Sequence, residues 1–493
     1  MLVTDDIQAL STAVSGPVVL PDSPEYAVET LAFNAATVHR PDVVLGAENA
    51  RDVAAAVKWA AERRMPVAVQ STGHGADSAV QGGLLINTRR LQDLQIDPVE
   101  RTARVGAGVK WRSVLEASVP HGLVGLHGSS TDVGVVGYTL GGGLPVLGRA
   151  HGFAADHVRS MEVVTADGAL RRIDAGAEAE LFALMRGGKG NFGIVTELEF
   201  SLFPLGDFYG GGIIYPGADA ALILAEFREW LPSLPDDASP SISLLRLPDM
   251  DFVPAPLRGQ FVVHLRFAFL GTREDGDSLL APMRAVSRPL MDTAGPMSYL
   301  DVDQIHMDPA DPLPFTAGGA LLKDFGEETV ADLLNLTGEG SDCPLLLVEI
   351  RPLGGALARS ALSQSGQLPD AVSGRDAAFL LFLLGFKMPP YAEAVASSVR
   401  GVLAAMAPHS TGYTLVNFHG EPGNEADRAR AWSPAVYERM RAAKSSYDPG
   451  NLLRFGHAIT GVPSRPDPPP SNSHRLLRNG PFHPSKGPLR SNR

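Results

Sequence analysis

Val67 to Leu91 reads VAVQSTGHGADSAVQGGLLINTRRL. Val67-Ala68-Val69 is an apolar run of strand type, and Leu84-Leu85-Ile86-Asn87 is a second. Between them lies a glycine-spaced turn with His74 flanked by Gly73 and Gly75. A histidine in a loop bounded by buried strands is presented by rigid elements, which is the arrangement a bound cofactor needs. From residue chemistry alone, His74 reads as a metal ligand, a general base, a satisfied interior histidine or a covalent attachment point. His121, His127, His151 and His157 follow it, but no two have metal-ligand spacing on a helix face, so no metal site is expected. No Gly-x-Ser-x-Gly elbow accompanies the loop, which argues against a hydrolase.

Upstream, the spacing predicts a helix over Asp5 to Val14 and strands over Pro17 to Leu20 and Arg40 to Leu45. Asn49 to Asp52 supplies cap chemistry for a helix over Val53 to Arg63, which leads into the Val67 strand. That is a strand–helix–strand unit of α/β type. Downstream come Arg104-Val105-Gly106-Ala107-Gly108, a helix at Trp111 to Ser118 and a glycine-dense stretch from Val124 to Gly148. A strand over Val158 to Thr165, a turn at Ala166-Asp167-Gly168 and a helix over Leu181 to Met185 follow. The loop from Arg186 to Gly193 then feeds a strand over Ile194 to Phe200. Each glycine cluster could cradle phosphate with backbone N–H groups. None is a P-loop, and Gly106-Ala107-Gly108 lacks the third glycine of a dinucleotide fingerprint. Three clusters between Gln70 and Gly193 point to a large dinucleotide or a flavin.

After Pro204 the texture changes to strands separated by helices. Strands are expected at Phe261 to Phe267, Leu345 to Ile350 and Phe379 to Leu384, with helices at Ala220 to Trp230, N-capped by Asp219, and at Tyr391 to Met406. The expected organisation is a cofactor domain over 1–204 and a second α+β domain on an antiparallel sheet over 205–408. A return segment over 409–460 and a proline-rich disordered tail over 461–493 complete it. At 493 residues, two domains are the prior. Net charge is −13, and the tail carries six basic residues against one acidic, which leaves the body near −18. An acidic body argues against nucleic acid as a partner. Cys343 is the sole cysteine, so no internal disulfide forms. The N-terminus lacks the basic, apolar pattern of a secretory signal and no run reaches a membrane span, so a cytoplasmic protein with no membrane partner is expected.

The motifs together resemble the berberine bridge enzyme-like FAD-linked oxidases of the vanillyl-alcohol oxidase, or PCMH-type FAD-binding, superfamily. Gln70-Ser71-Thr72-Gly73-His74 is similar to that family's Arg-Ser-Gly-Gly-His loop. Asp132 to Gly137 with Gly141-Gly142-Gly143 is similar to its glycine-rich flavin loop, and Arg149 to Val158 to its Arg-x-x-Gly-Leu-x-x-Asp-Asn-Val segment. Arg186 to Thr196 follows a family signature nearly residue for residue, and Asp448 to Arg454 resembles the C-terminal Asp-Pro-x-Asn-x-Phe-Arg piece. The resemblance spans roughly residues 15–460. It implies a two-domain α+β fold, with FAD bound covalently through the 8α-methyl to His74. Ser71, Thr72, Gly73 and Gly75 would hold the pyrophosphate. Ser130, Val133, Gly134, Gly137, Tyr138, Gly141, Gly142, Gly143, Asn191, Gly193, Ile194 and Asn451 would line the flavin.

The departures carry equal weight. Many relatives place a second flavin-linking cysteine where this chain has Ser130, so the resemblance implies a monocovalent variant. Gln70 replaces the loop arginine and removes a charge-assisted phosphate donor, which Lys189 offsets if it faces the site rather than solvent. Leu415 replaces a tyrosine that relatives hold at the flavin, and Tyr413 is the nearest substitute on an expected strand. Tyr413, Glu349 and His419 are the candidate catalytic groups, with Arg351 and Lys387 as further candidates. Glu349 and Arg351 share a strand face, where a mutual ion pair is the plainer reading, and His419, at an expected strand end, reads first as a surface residue. The implied activity takes a hydride from a small organic substrate (an alcohol, amine or ring C–H, secondary metabolites included) to flavin N5. O2, admitted past Val133, then reoxidises the flavin to give H2O2. The alternative is a flavin-binding non-redox cyclase or binding module of the same fold.

Overall fold

The computed structural model describes residues 4–251, 253–359 and 368–462, which pack as one unit. The tail expected to be disordered lies outside the described residues beyond Val462. Strands β1 (Val18–Val19), β2 (Val43–Gly46), β3 (Val67–Gln70) and β4 (Leu84–Asn87) form one sheet in the order β1-β2-β4-β3. β4 runs parallel to both β2 and β3, and Gln70 is in register with Asn87. The helix Ala50–Glu62 crosses between β2 and β3 and lays Val53, Ala56, Val57 and Ala60 on the sheet. That spacing is the apolar stripe of an amphipathic helix. Asn49 caps it as expected, its Oδ1 accepting from Arg51 N at 2.9 Å and Asp52 N at 3.0 Å. Since the parallel strands end together, the His74 loop leaves from their carboxyl ends, the edge at which α/β sheets bind ligands.

A second, antiparallel sheet of five strands has the order β5-β6-β10-β8-β9. Its members are β5 (Leu94–Asp97), β6 (Thr102–Gly106), β8 (Val158–Thr165), β9 (Leu170–Asp174) and β10 (Gly193–Ser201). The expected turn at Ala166-Asp167-Gly168 joins β8 to β9. β7 (Leu123–Val124) pairs with β11 (Phe203–Pro204) as a separate ribbon.

From Phe208 onward the chain builds an eight-stranded sheet, with main order β15-β12-β14-β13-β18-β19-β17 and β16 beside β12. It comprises β12 (Phe208–Pro216), β13 (Ala238–Arg246), β14 (Phe261–Leu270), β15 (Met291–Asp292), β16 (Gly295–Pro296), β17 (Phe315–Leu322), β18 (Leu347–Pro352) and β19 (Phe379–Phe386). All its pairings are antiparallel, in line with the expected second sheet. Three of its long strands escape sequence reading. β12 (FYGGGIIYP), β13 (ASPSISLLR) and β17 (FTAGGALL) carry the glycine, serine and proline that normally mark loops. Their glycines are there for close approach. A β-carbon on Gly319 would lie 2.8 Å from the Phe418 carbonyl, and one on Gly212 would collide with the His264 ring.

Two local expectations are corrected. Asp219 does not cap the helix Ala220–Trp230; a 3-10 turn over Gly217–Asp219 leads into it, and Asp219 accepts from Ser287 Oγ at 2.5 Å. Residues 413–418 are not a strand but an extended lead into a 3-10 turn at Val416–Phe418. The closing segment returns to the earlier sheets. Val416, Trp432, Tyr437 and Met440 join the core of the five-stranded sheet, and Leu452 and Leu453 join that of the parallel sheet.

Candidate functional site

The glycine-rich segments meet around a cavity of about 400 Å³. Its walls come from the loop after β3, from Gly128 to Tyr138, from Lys189 to Val195 and from the strap Leu453 to Ala458, with Arg351, Asn417 and Phe418. Gln70, Ser71, Thr72, Gly73, His74, Gly75, Ser130, Val133, Gly134, Gly137, Tyr138, Asn191, Gly193 and Ile194 all line it.

His74 is held from several sides. Its ring stacks on Phe33 at 3.7 Å and 12°, and its Nδ1 lies 2.9 Å from Thr72 Oγ1. Its Nε2 is buried with no hydrogen-bond partner. Burial lowers its pKa to about 4, with Lys110 adding to the effect and Asp132 opposing it, so the imidazole is neutral near pH 7. The loop needs glycine beside it. Gly73 has φ +76°, and a β-carbon there would lie 2.7 Å from the Ala32 backbone.

Gln70 does not act as a phosphate donor by its side chain. Its Oε1 is 2.8 Å from His39 Nε2 and its Nε2 donates to the Leu31 carbonyl at 3.0 Å, which ties the loop to the preceding segment. Lys189 faces the site. Its Nζ lies 3.8 Å from where a β-carbon on Gly75 would stand, and it and Asp77 both line the cavity. Burial lowers the Lys189 pKa to about 8, with Asp77 opposing. Asn191 clamps its loop to the C-terminal strap, donating to the Gly188 carbonyl at 2.8 Å and accepting from Ile459 N at 2.9 Å. Beneath it, Lys444 Nζ donates to the Asn191 carbonyl at 2.9 Å, the Leu453 carbonyl at 2.6 Å and Asp448 at 2.7 Å.

Gly141, Gly142, Gly143 and Asn451 lie outside the cavity lining. The glycines act one layer back. Gly141 leaves room for Asn417, whose Nδ2 donates to the Tyr138 carbonyl at 2.9 Å, and a β-carbon on Gly143 would meet the Tyr138 ring at 2.5 Å. Asn451 stands in a turn at φ +48°, its N donating to the Asp448 carbonyl at 2.9 Å.

The three catalytic candidates are likewise placed away from the cavity. Tyr413 packs into an apolar cluster with Leu321, Leu353 and Leu415. Glu349 is 1% exposed and pairs with Arg266 at 2.7 Å and Arg351 at 2.9 Å. Burial alone would raise its pKa, but Arg351 and Arg266 hold it below the usual value, so it is a fixed counter-ion. His419 is buried rather than on the surface, with Nε2 2.8 Å from the Asp427 carbonyl. Of the further candidates, Arg351 reaches the cavity and Lys387 does not. Sequence reading passed over Asp77 and His457, both in the lining. The only signal for His457 was its place in the strap after the Asp448 to Arg454 motif.

Ser71 Oγ, His74 Nε2, Tyr138 OH and His457 Nε2 are buried lining atoms without a hydrogen-bond partner. Native interiors rarely leave such atoms unpaired, so the set fits a polar ligand. Together with a neutral imidazole, a cation at Lys189 and backbone-rich glycine turns, it suits a dinucleotide. Among the described residues no group of three or more His, Cys, Asp or Glu side chains is placed to hold a metal ion. Nor is any of their helices long and apolar enough to cross a membrane.

Comparison with known proteins agrees. Residues 41–174 match the FAD binding domain family. The chain is 25% identical to an FAD-linked oxidoreductase of Bacillus subtilis (strain 168), over 91% of this chain and 97% of that protein. It is 26% identical to (R)-6-hydroxynicotine oxidase of Paenarthrobacter nicotinovorans, over 92% of this chain and 98% of the relative. Its fold superposes on glucooligosaccharide oxidase from Acremonium strictum, described with a 6-S-cysteinyl, 8α-N1-histidyl FAD. The TM-score is 0.79 at 18% identity, over 93% of this chain and 99% of the other. The fold is shared with these oxidase structures, and its second sheet is antiparallel, as the sequence led us to expect.

Proposed function

We propose that this FAD-linked oxidoreductase is an oxidase of a small organic substrate whose FAD is attached through a single bond to His74. When bound, FAD would supply a two-electron acceptor for a substrate C–H, with O2 as the final acceptor and the substrate's two hydrogens ending in H2O2. The observation that carries the attachment is the His74 ring itself: stacked on Phe33, engaged by Thr72 at Nδ1 and unpartnered at Nε2 inside the cavity. Ser130 lines the same cavity and has no thiol, and Cys343 is buried in the core of the eight-stranded sheet, so no thioether accompanies the histidyl link.

The chain's own groups divide the remaining work. Lys189 and the backbone of Ser71 to Gly75 offer cation and N–H groups to the pyrophosphate. Tyr138 is buried, which raises its pKa well above that of a free phenol, so its hydroxyl stays protonated and donates. Arg351 brings a permanent cation into the cavity from β18. Since Tyr413, Glu349 and His419 stand off the cavity, Tyr138 and Arg351 replace them as the groups that contact substrate. The single cysteine favours a reducing, cytoplasmic setting.

Acid precipitation tests the attachment. The yellow colour is expected in the pellet of the wild-type protein and in the supernatant of His74→Ala; colour in the wild-type supernatant refutes the covalent link. Anaerobic mixing with a panel of alcohols and amines tests the chemistry. Bleaching of the oxidised flavin band, followed by recovery and H2O2 in air, is expected from at least one. Failure of every member to bleach it would favour a non-redox role.

A further inference from the structure

A second, smaller cavity of about 40 Å³ adjoins the first, and Leu144 and Arg351 line both. Its other walls include Arg149, Ser239, Ser241, Arg266 and His306. β13 and β14 bring Ser241 opposite Arg266, and β18 on the far side of β13 brings in Arg351. Such a concentration of cations inside a sheet needs compensation.

The compensation present falls short. Glu349 is the one buried carboxylate in the group, and it serves two guanidinium groups, those of Arg266 and Arg351. Arg149 spends itself on the carbonyls of Ala238 at 2.8 Å and Leu353 at 2.9 Å, with Asp236 3.6 Å away and half-exposed. His306 and the neighbouring His264 are driven neutral by burial and by the nearby Arg266, and add no charge. One positive charge is therefore left over. The hydrogen bonds are incomplete too. Arg266 Nε, in a side chain 3% exposed, and His306 Nδ1, in a residue 8% exposed, have no partner, and neither does Ser239 Oγ. Water would satisfy the donors but not the charge. A phosphate dianion would overshoot the charge, and the space suits a group of a few atoms.

We propose that this cavity is a carboxylate subsite: the substrate carries a carboxylate held by Arg266 and Ser239, while its oxidisable carbon lies beyond Arg351 in the larger cavity. The inference rests on the larger cavity being the flavin site, and it names the substrate class as small organic acids. Arg351 then works at the junction, its charge tied to Glu349 and its guanidinium over the Phe418 ring, 5.5 Å from the centroid.

The test uses holoenzyme with sodium benzoate and benzamide as an anionic and neutral pair at matched chloride. Binding is read by calorimetry and by the shift of the visible flavin band. Benzoate is expected to bind at least tenfold more tightly than benzamide. Arg266→Gln is expected to abolish that preference. Ser239→Asp, which puts a carboxylate of its own at the cavity, is expected to abolish benzoate binding with flavin content unchanged, and it serves if Arg266→Gln fails to fold. Equal binding of the pair, an unchanged preference in both variants, or inorganic phosphate binding as tightly as benzoate overturns the subsite. Protein with flavin in the acid pellet but no benzoate preference refutes the subsite alone. Protein that takes up no flavin refutes the larger cavity's assignment, and calorimetry on that protein still decides the smaller one.

Discussion

Asp448→Ala should loosen the floor of the larger cavity. Lys444 and Asp448 are 1% and 2% exposed and lie 2.7 Å apart. Asp448 also accepts from the backbone N of Leu452 at 2.7 Å and of Leu453 at 2.9 Å, while Lys444 holds the carbonyls of Asn191 and Leu453. Removing one partner of a buried ion pair costs about 3–5 kcal/mol, because the other charge stays buried. The two stranded N–H groups add to this, and neutralisation of Lys444 subtracts from it. About 3–5 kcal/mol is thus the expected loss, or roughly a hundred- to a few thousand-fold faster exchange of these amides if they exchange by local opening. Hydrogen exchange read by mass spectrometry on the peptides around Asn191 and Leu452 to His457 measures it. Burial already lowers the Lys444 pKa, against the pull of Asp448. Without Asp448 the folded value falls further below the unfolded one, so the unfolded state binds the extra proton and the deficit shrinks as pH rises toward about 10. Lys444→Met in the Asp448→Ala background removes the stranded charge and should recover part of the loss. Acceleration below about twofold, or a double variant worse than the single, would refute this account.

Other outcomes follow from the same reasoning. Gly141→Ala drives a methyl into Asn417 and should cost about 1–3 kcal/mol in thermal denaturation, with reduced flavin loading. Lys189→Met, made in His74→Ala so that flavin is not covalently trapped, should weaken FAD binding roughly ten- to a hundredfold by fluorescence titration. Asn49→Ala removes a helix cap and should cost about 1 kcal/mol, leaving flavin content untouched. His127 is buried with its Nδ1 on the Gly128 carbonyl, and burial lowers its pKa to about 4 against that bond. Between its folded and unfolded pKa values the unfolded state binds more protons, so about 3 kcal/mol should be lost as pH falls from about 6.5 to 4. Denaturant titrations of wild type and His127→Gln across that window measure it, and identical pH slopes would refute the assignment.

Local patterns carried much of this protein. The parallel unit from Val43 to Asn87 is written in short apolar runs, a capped amphipathic helix and a glycine-flanked histidine, all short-range features. The same holds for the glycine clusters and for the departure at Ser130, where the side-chain type alone forbids a thioether. Tertiary structure decided what those features do. Gly141 and Gly143 proved to make room for Asn417 and the Tyr138 ring rather than line the cavity, and Asn417 is far away in sequence. β12, β13 and β17 were hidden because their glycines, serines and proline answer to neighbours across the sheet, which no propensity records. Glu349, Arg266, Arg351 and His306 come from two strands and a connecting segment. Their charge imbalance exists only once the sheet places them side by side, since burial and distance, which set the cost of a charge, are properties of the fold.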